Sequence, residues 1–322
     1  MIDVVIIGGG PIGIACALEC KKQNWNYLII EKGALTNSLF NYPKNMTFFS
    51  TSEKLEIDGI PFISKNPKPN RDEALEYYRR VATSNEININ LFETVEEISK
   101  DDGVFEVKTN KDSYQSQKLI LATGFYDIPN LIDVPGEDLP KVTHYYKEAH
   151  PYAMQDIVVV GASNSSVDAA LEIYRKGGNV SMIIRGEDIG KRVKYWVRPD
   201  IINRIEEGSI KAYFNAEITE IKPKELTFKS PEGIKTIPND FVIALTGYKP
   251  NFELLNQIGI EQTEDEKRLP KYNPETMETN VYGVYLAGVI CGGMETHKWF
   301  IENSRIHAKQ IAKHIASTGV NL

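Results

Sequence analysis

The chain reads as α/β, with two parallel-sheet domains, because one strand–glycine turn–helix–strand plan occurs in it twice. The first copy runs from Val4-Val5-Ile6-Ile7 through Gly8-Gly9-Gly10-Pro11-Ile12-Gly13 and an apolar helix pattern to Tyr27-Leu28-Ile29-Ile30-Glu31. The second runs from Ile157-Val158-Val159-Val160 through Gly161-Ala162-Ser163-Asn164-Ser165-Ser166 and a helix to Val180-Ser181-Met182-Ile183-Ile184-Arg185. The first ends in an acid and the second in a base, so the two units are expected to take two different ligands of one type. Continuous apolar strands of this kind are buried on both faces, as parallel strands are.

Bulk properties bound the class. The 322 residues suffice for two domains of ordinary size. A hydrophobic share of 42% and a charged share of 25% are those of a soluble globular protein. No apolar run reaches the roughly 18 residues a membrane span needs. The apolar start carries the glycine motif instead of a signal-peptide pattern. A formal charge of -7 disfavours nonspecific nucleic-acid binding. Three cysteines, Cys16, Cys20 and Cys291, are too few for a disulfide scaffold and suit a reducing cytoplasm. No zinc spacing is present, so no metal is expected.

In the first unit Gly8 permits a tight turn, Gly10 lets the backbone approach a pyrophosphate, and Gly13 lets the helix lie close to the sheet. The helix N-terminus offers N–H groups and partial positive charge to the phosphates. Glu31, 23 residues after Gly8, stands where a carboxylate accepts hydrogen bonds from ribose hydroxyls. Together these make a Rossmann-like dinucleotide site, read as FAD.

The second unit departs from the glycine pattern, with Ser163 and Ser166 in place of the second and third glycines. A serine hydroxyl can itself bond a phosphate oxygen. Asp168 to Ile173 continues as a helix that Gly177-Gly178 stops. Arg185, 24 residues after Gly161, replaces the acid with a base. An acid there repels a 2′-phosphate and an arginine attracts it, so NADPH rather than NADH is expected. Lys191, Arg192 and Lys194 follow in a loop, Lys194 being the best placed of them to join that site.

The remaining segments complete the plan. Lys118 to Gly124 is a strand ending in the small turn Thr123-Gly124, and Gly283 to Val289 is another ending in Gly288-Val289. They resemble the second and third FAD-contact motifs of two-dinucleotide flavoproteins, the third of which usually ends in Asp. Val289 stands in its place. Asp240 to Pro250, with Gly247, closes the NADPH domain. The order implies an interrupted FAD domain, 1–150 plus 249–322, with the NADPH domain inserted at 151–248. A terminal helix is expected from Thr296, through Trp299, Phe300, Ile306, Ile311 and Ile315, its N-terminus aimed at the flavin. The connector Asn37-Ser38-Leu39-Phe40-Asn41-Tyr42-Pro43 and Phe48-Phe49-Ser50 supplies Asn37, Ser38, Tyr42, Phe49 and Ser50 as FAD contacts, and Pro11, Ile12, Lys32 and Val95 complete that set. The NADPH set is Gly161, Ser163, Asn164, Ser165, Arg185, Lys194 and Gly247. His144 and His150 are read as structural.

With these residues in view the chain resembles the bacillithiol disulfide reductase family, relatives of low-molecular-weight thioredoxin reductases. The carrying blocks are Asn37 to Pro43, Thr47 to Ser50, His144 to Tyr152, Ala287-Gly288-Val289-Ile290 and Phe300-Ile301-Glu302-Asn303. The resemblance covers nearly the whole length. It implies FAD, NADPH and reduction of a low-molecular-weight thiol disulfide such as bacillithiol disulfide. The family shares Val289. Its better-known members carry a reactive cysteine between the second and third glycines of the first motif, where this chain has Ile12.

Cys16 and Cys20 lie at i and i+4 on one helix face and read as packing residues. Cys291 follows the third FAD motif and is the one candidate redox thiol. The expected activity is a flavin-dependent NADPH oxidoreductase passing hydride from NADPH to FAD to a disulfide. Alternatives are a reductase of a protein acceptor such as a ferredoxin, a flavin monooxygenase, and a flavin-binding sensor. The expected partners are a small-molecule disulfide and, as a possibility of the same chemistry, a redox protein. A cytoplasmic homo-oligomer is expected.

Overall fold

The computed structural model describes residues 1–319. The chain forms two compact units, one of Met1–Asn41, Met46–Ile128 and Tyr248 onward, the other of Tyr42–Asn45 and Pro129–Gly247.

The first unit begins with β1 (Ile2–Ile7), α1 (Pro11–Lys22) and β2 (Tyr27–Ile30). Val4 to Ile6 are fully buried. α1 has no single apolar face; Ile12 to Leu18 and Cys20 are all buried. A helix apolar on every side needs cover on every side, and α1 packs on the sheet and on the C-terminal helix of the same unit. After α2 (Asn37–Asn41) and α3 (Ser52–Leu55), α4 (Arg71–Ser84) starts at a capping box in which Asn70 and Glu73 bond each other's backbone N–H. β3 (Ile89–Asn90), β4 (Val95–Asp101), β5 (Val104–Thr109) and β6 (Ser113–Leu121) complete the first pass. The sheet order is β3-β2-β1-β6-β5-β4. β1 to β3 and β6 are parallel neighbours, whereas β4, β5 and the start of β6 form an antiparallel meander.

Short strands β7 (Ile128–Pro129) and β8 (Val142–Thr143) lead into the second unit. Its core is β9 (Asp156–Val160), α5 (Asn164–Arg175) and β10 (Asn179–Ile183), then α6 (Arg198–Glu206) and β11 (Lys211–Tyr213). An antiparallel sheet of β12 (Glu217–Ile221), β13 (Glu225–Ser230) and β14 (Gly233–Pro238) precedes β15 (Phe241–Ala244). The main sheet is parallel, in the order β11-β10-β9-β15-β8. The expected α/β fold with two parallel sheets is therefore present. The change of unit falls at 128/129 rather than 150/151. The cause is that β8 pairs with β15, and Ile221 donates its N–H to Pro135 (2.9 Å), tying 129–150 to the second unit.

The chain returns to the first unit through β16 (Tyr248–Lys249) and α7 (Phe252–Ile258). β17 (Val284–Leu286) joins β6 in parallel. The single terminal helix expected from Thr296 is instead α8 (Ile301–Ser304) and α9 (Ile306–Thr318). Trp299 and Phe300 precede it, because the Asn303 Oδ1 accepts the Phe300 N–H (2.7 Å) and holds Phe300 extended.

Candidate functional site

Each unit presents a turn built around the N-terminus of its first helix. In the first, Gly8 has φ +111°. A β-carbon on Gly8 would overlap the Ala122 carbonyl, and one on Gly13 would overlap the Gly8 carbonyl. Gly10 is different, with no atom within 4 Å of the position its β-carbon would take. Two glycines thus serve the fold, and the third keeps open space in front of the helix. α1 has Pro11 in its first turn, no acidic residue there and no side-chain cap on Gly10, which leaves its N-terminal N–H groups to a ligand.

Glu31 closes this site. It is 6% exposed, its Oε2 accepts the Gly9 N–H (2.7 Å) and its Oε1 the Gly33 N–H (2.9 Å). Burial pushes its carboxyl up, and the two N–H groups oppose that shift. Each oxygen keeps a lone pair for a ribose hydroxyl. The open space at Gly10 and the fixed carboxylate at Glu31 fit the pyrophosphate and ribose of a dinucleotide. Asn37 packs directly on Gly33, and Ser38 Oγ would lie 3.7 Å from a β-carbon on Gly124. The Thr123 hydroxyl is buried with no hydrogen-bond partner, a donor left for a ligand. Lys32 pairs with Asp127 (2.8 Å). Phe49 is exposed beneath the Lys68 ammonium, 4.9 Å from its ring centre. Ser50 is half-buried and Val95 pairs with Thr109 in the meander. Tyr42 belongs to the second unit.

The third motif is held by a residue the sequence did not single out. Gly288, φ +85°, donates its N–H to His307 Nδ1 (3.2 Å), and Ile12 packs beside it. A ring nitrogen that accepts is unprotonated, so His307 carries its proton on Nε2. Burial holds its pKa down at about 4. A lone histidine inside a helix has no sequence signature for this task. Val289 lies half-buried in the 3-10 turn Gly288–Gly292 and offers only backbone.

His307 makes a pH prediction. Its pKa falls from an ordinary 6.5 in the unfolded chain to about 4 in the fold. Stability from this group is complete above pH 6.5 and lost as pH falls toward 4, a loss on the order of 3 kcal/mol. Melting temperatures across that window should fall less for His307→Gln, whose amide oxygen keeps an acceptor for Gly288. Equal slopes for both proteins would remove His307 as the source.

Cys291 does not meet the expectation of a redox thiol. It is 1% exposed, burial pushes its thiol up, and its Sγ lies 3.9 Å from the neutral His307 Nδ1. No cation lowers it enough to make a thiolate. Cys16 and Cys20 are equally buried and pushed up, as packing residues are.

In the second unit Gly161 has φ +115°, and its β-carbon would stand 2.7 Å from the Leu245 carbonyl oxygen. Ser163 caps α5 with no side-chain bond and is exposed, as is Ser165. Ser166 is fully buried and donates its hydroxyl to the Ser163 carbonyl (2.9 Å), so it does not serve a phosphate. Asn164 is also committed. Its Oδ1 accepts the Lys194 N–H (2.8 Å) and its Nδ2 donates to the Arg192 carbonyl (3.2 Å), pinning the basic loop to the helix start. Lys194 corrects a second expectation: its Nζ pairs with Asp168 (2.7 Å) and the residue is 8% exposed, which spends its charge inside the fold. Arg185, Lys191 and Arg192 are exposed. Gly247, φ +96°, accepts the Asn130 N–H on its carbonyl (2.9 Å). His144 bonds Glu137 (3.2 Å), which also accepts the Ile132 and Asp133 N–H groups, so it orders a loop. His150 is exposed in a 3-10 turn.

Residues 5–288 match the family model described as pyridine nucleotide-disulphide oxidoreductase. The chain is 46% identical over 314 residues to the bacilliredoxin reductase Bdr of Bacillus subtilis, covering 97% of both chains. It superposes on the bacillithiol disulfide reductase Bdr of Bacillus cereus with a TM-score of 0.97 at 44% identity, covering 99% of each chain. This chain belongs to the bacillithiol disulfide reductase family. The Staphylococcus aureus member gives a TM-score of 0.96 at 42% identity, covering 98% of each chain. The resemblance read from the connector blocks is thereby borne out. As a member of the bacillithiol disulfide reductase family the protein is a pyridine nucleotide-dependent flavoprotein oxidoreductase. No helix among the described residues is long and apolar enough to cross a membrane.

Proposed function

We propose that the first unit holds FAD, the second holds NADPH, and the protein reduces the disulfide of bacillithiol, either free or mixed with a small redox protein. The observation that carries the cofactor pairing is the contrast between the two strand ends. Glu31 is buried and held by two N–H groups, whereas Arg185 is exposed and free of ion pairs among the described residues. A fixed carboxylate reads ribose hydroxyls; a free guanidinium reads a 2′-phosphate. The names of the bacilliredoxin reductase and bacillithiol disulfide reductase relatives support the acceptor class.

When bound, the cofactors supply hydride transfer from NADPH through the flavin to the disulfide, with one solvent proton completing two thiols. The protein's residues bind and orient. Open space at Gly10 receives the pyrophosphate, Glu31 the ribose, and the Gly288 turn keeps its geometry through His307. Lys191 and Arg192 follow Arg185 in the chain on an exposed loop that Asn164 keeps in place. Ile12 and the three buried, free cysteines leave no accessible protein thiol for a mixed disulfide. Electrons then pass to the acceptor with no protein thiol between. Free cysteines also suit the reducing compartment expected from composition.

The test is NADPH consumption by the flavin-loaded protein with oxidised bacillithiol alone, a bacillithiolated bacilliredoxin, a ferredoxin, and oxygen alone. Either bacillithiol arm should exceed the oxygen background, and the faster one identifies the acceptor. No excess in both would overturn the reading. Pre-treatment with iodoacetamide is expected to leave that rate unchanged, because every thiol is buried and protonated. A large loss on alkylation would mean that one of them opens to solvent and takes part.

A further inference from the structure

The loop between β3 and β4 carries an unexplained residue. Phe92 has φ +54°, a left-handed conformation that a bulky aromatic rarely adopts. Its side chain brings no burial in return, since the residue is 64% exposed. No aromatic or cationic side chain among the described residues engages its ring. Glycine or asparagine would make the same turn without strain.

The backbone around Phe92 is held on every side. Phe92 donates its N–H to the Gly33 carbonyl (3.1 Å), and Glu93 donates to the Glu31 carbonyl (2.9 Å). The Leu91 carbonyl accepts Lys111 Nζ (3.1 Å), and the Thr94 N–H goes to Asn110 Oδ1 (2.9 Å). Glu93, only 3% exposed, takes the Thr109 and Tyr114 hydroxyls on one oxygen (2.7 and 2.8 Å). A strained residue persists only where its surroundings over-determine it, and such residues gather at ligand sites. The loop they fix is the one that borders Glu31 and Gly33. A second strained residue borders the same turn: Thr36, β-branched with φ +53°, donates its N–H to the Gly9 carbonyl (3.1 Å).

We propose that Phe92 is the platform on which the adenine ring of FAD packs. This rests on the FAD reading of the first unit. Glu31 takes the adenosine ribose, and the Gly33–Phe92 hydrogen bond places the aromatic residue one step along from that carboxylate. A flat, exposed ring carried on a fixed backbone beside a ribose-binding acid suits a purine. Recognition is by shape and stacking, so the proposal concerns affinity for the adenosine half and leaves the flavin chemistry untouched.

The experiment separates strain from binding, because the two move in opposite directions. Flavin-free protein is prepared from the wild type, Phe92→Gly and Phe92→Tyr, and each is melted and then titrated with FAD and with ADP. Phe92→Gly should raise the melting temperature of the flavin-free protein by about 2 °C, by releasing the left-handed phenylalanine. It should weaken FAD and ADP by the same factor, about tenfold. Phe92→Tyr should bind both like the wild type. Unchanged FAD affinity in Phe92→Gly overturns the role of Phe92, and so does a loss for FAD without one for ADP. A wild type that takes up neither FAD nor ADP overturns the cofactor reading of the first unit, and the proposal with it.

Discussion

Gly13→Ala is expected to yield protein that is insoluble or carries no flavin. The added methyl group would overlap the Gly8 carbonyl oxygen, which belongs to backbone directly after β1 and tied to β2 by the Gly8 N–H, while Gly13 is fixed in the first turns of α1. Neither has a rotamer through which to yield, so α1 has to move off the sheet. Displacing a helix buried from Ile12 to Leu18 is expected to cost more than about 3 kcal/mol. Gly10→Ala supplies the contrast. The residue sits at φ -76° with nothing within 4 Å of its β-carbon, so the fold should tolerate alanine. Its methyl group would stand in the space assigned to the pyrophosphate. Near wild-type melting of the flavin-free protein with poor FAD uptake is the expected result, read by calorimetry and by flavin absorbance after gel filtration. If Gly10→Ala retains FAD as the wild type does, the pyrophosphate does not approach that backbone. If Gly13→Ala folds with full flavin, the close packing of α1 on the turn is not required.

Arg185→Ala is expected to raise the KM for NADPH roughly 10- to 100-fold and to leave that for NADH nearly unchanged. This is the range for losing a hydrogen bond to a charged group. Initial rates with each coenzyme and one acceptor decide it, and equal effects would mean that Arg185 does not read the 2′-phosphate. Lys194→Met is the informative companion. The Lys194 ammonium is bound to Asp168 inside the fold, so its loss should lower the melting temperature and shift both coenzymes alike. A selective loss of NADPH in Lys194→Met would place that lysine on the ligand instead.

The strands, turns and helices around Gly8 and Gly161 were legible because their determinants are local: apolar runs, glycine at a forced turn, and a fixed spacing to the strand end. That Glu31 and Arg185 stand just past the second strand of each unit was legible for the same reason. Lys194 was not, because its partner Asp168 lies 26 positions away, and only the packing of the loop on α5 brings the two together. Asn164 read as a ligand contact and proved to be a clamp, since its two hydrogen-bond partners come from that same loop. The change of unit at 128/129 was missed because β8 has only two residues and takes its place from pairing with β15 rather than from its own pattern. The terminal helix was placed too early because the apolar period passes through Trp299 and Phe300, and the Asn303 side chain holds the Phe300 backbone extended.

By itself the sequence determined the two-unit α/β plan, the acid and the base that separate its dinucleotide motifs, and the family, through connector blocks such as Phe40-Asn41-Tyr42-Pro43 and Phe300-Ile301-Glu302-Asn303. Only the tertiary structure decided which polar and reactive side chains remain available. Burial withdrew Cys291, an ion pair withdrew Lys194, an internal hydrogen bond withdrew Ser166, and the fold brought His307 to the Gly288 turn and held Phe92 strained beside Glu31. The physical reason is common to all five. A motif is set by neighbours in the chain, whereas desolvation and hydrogen-bond partnership are set by neighbours in space.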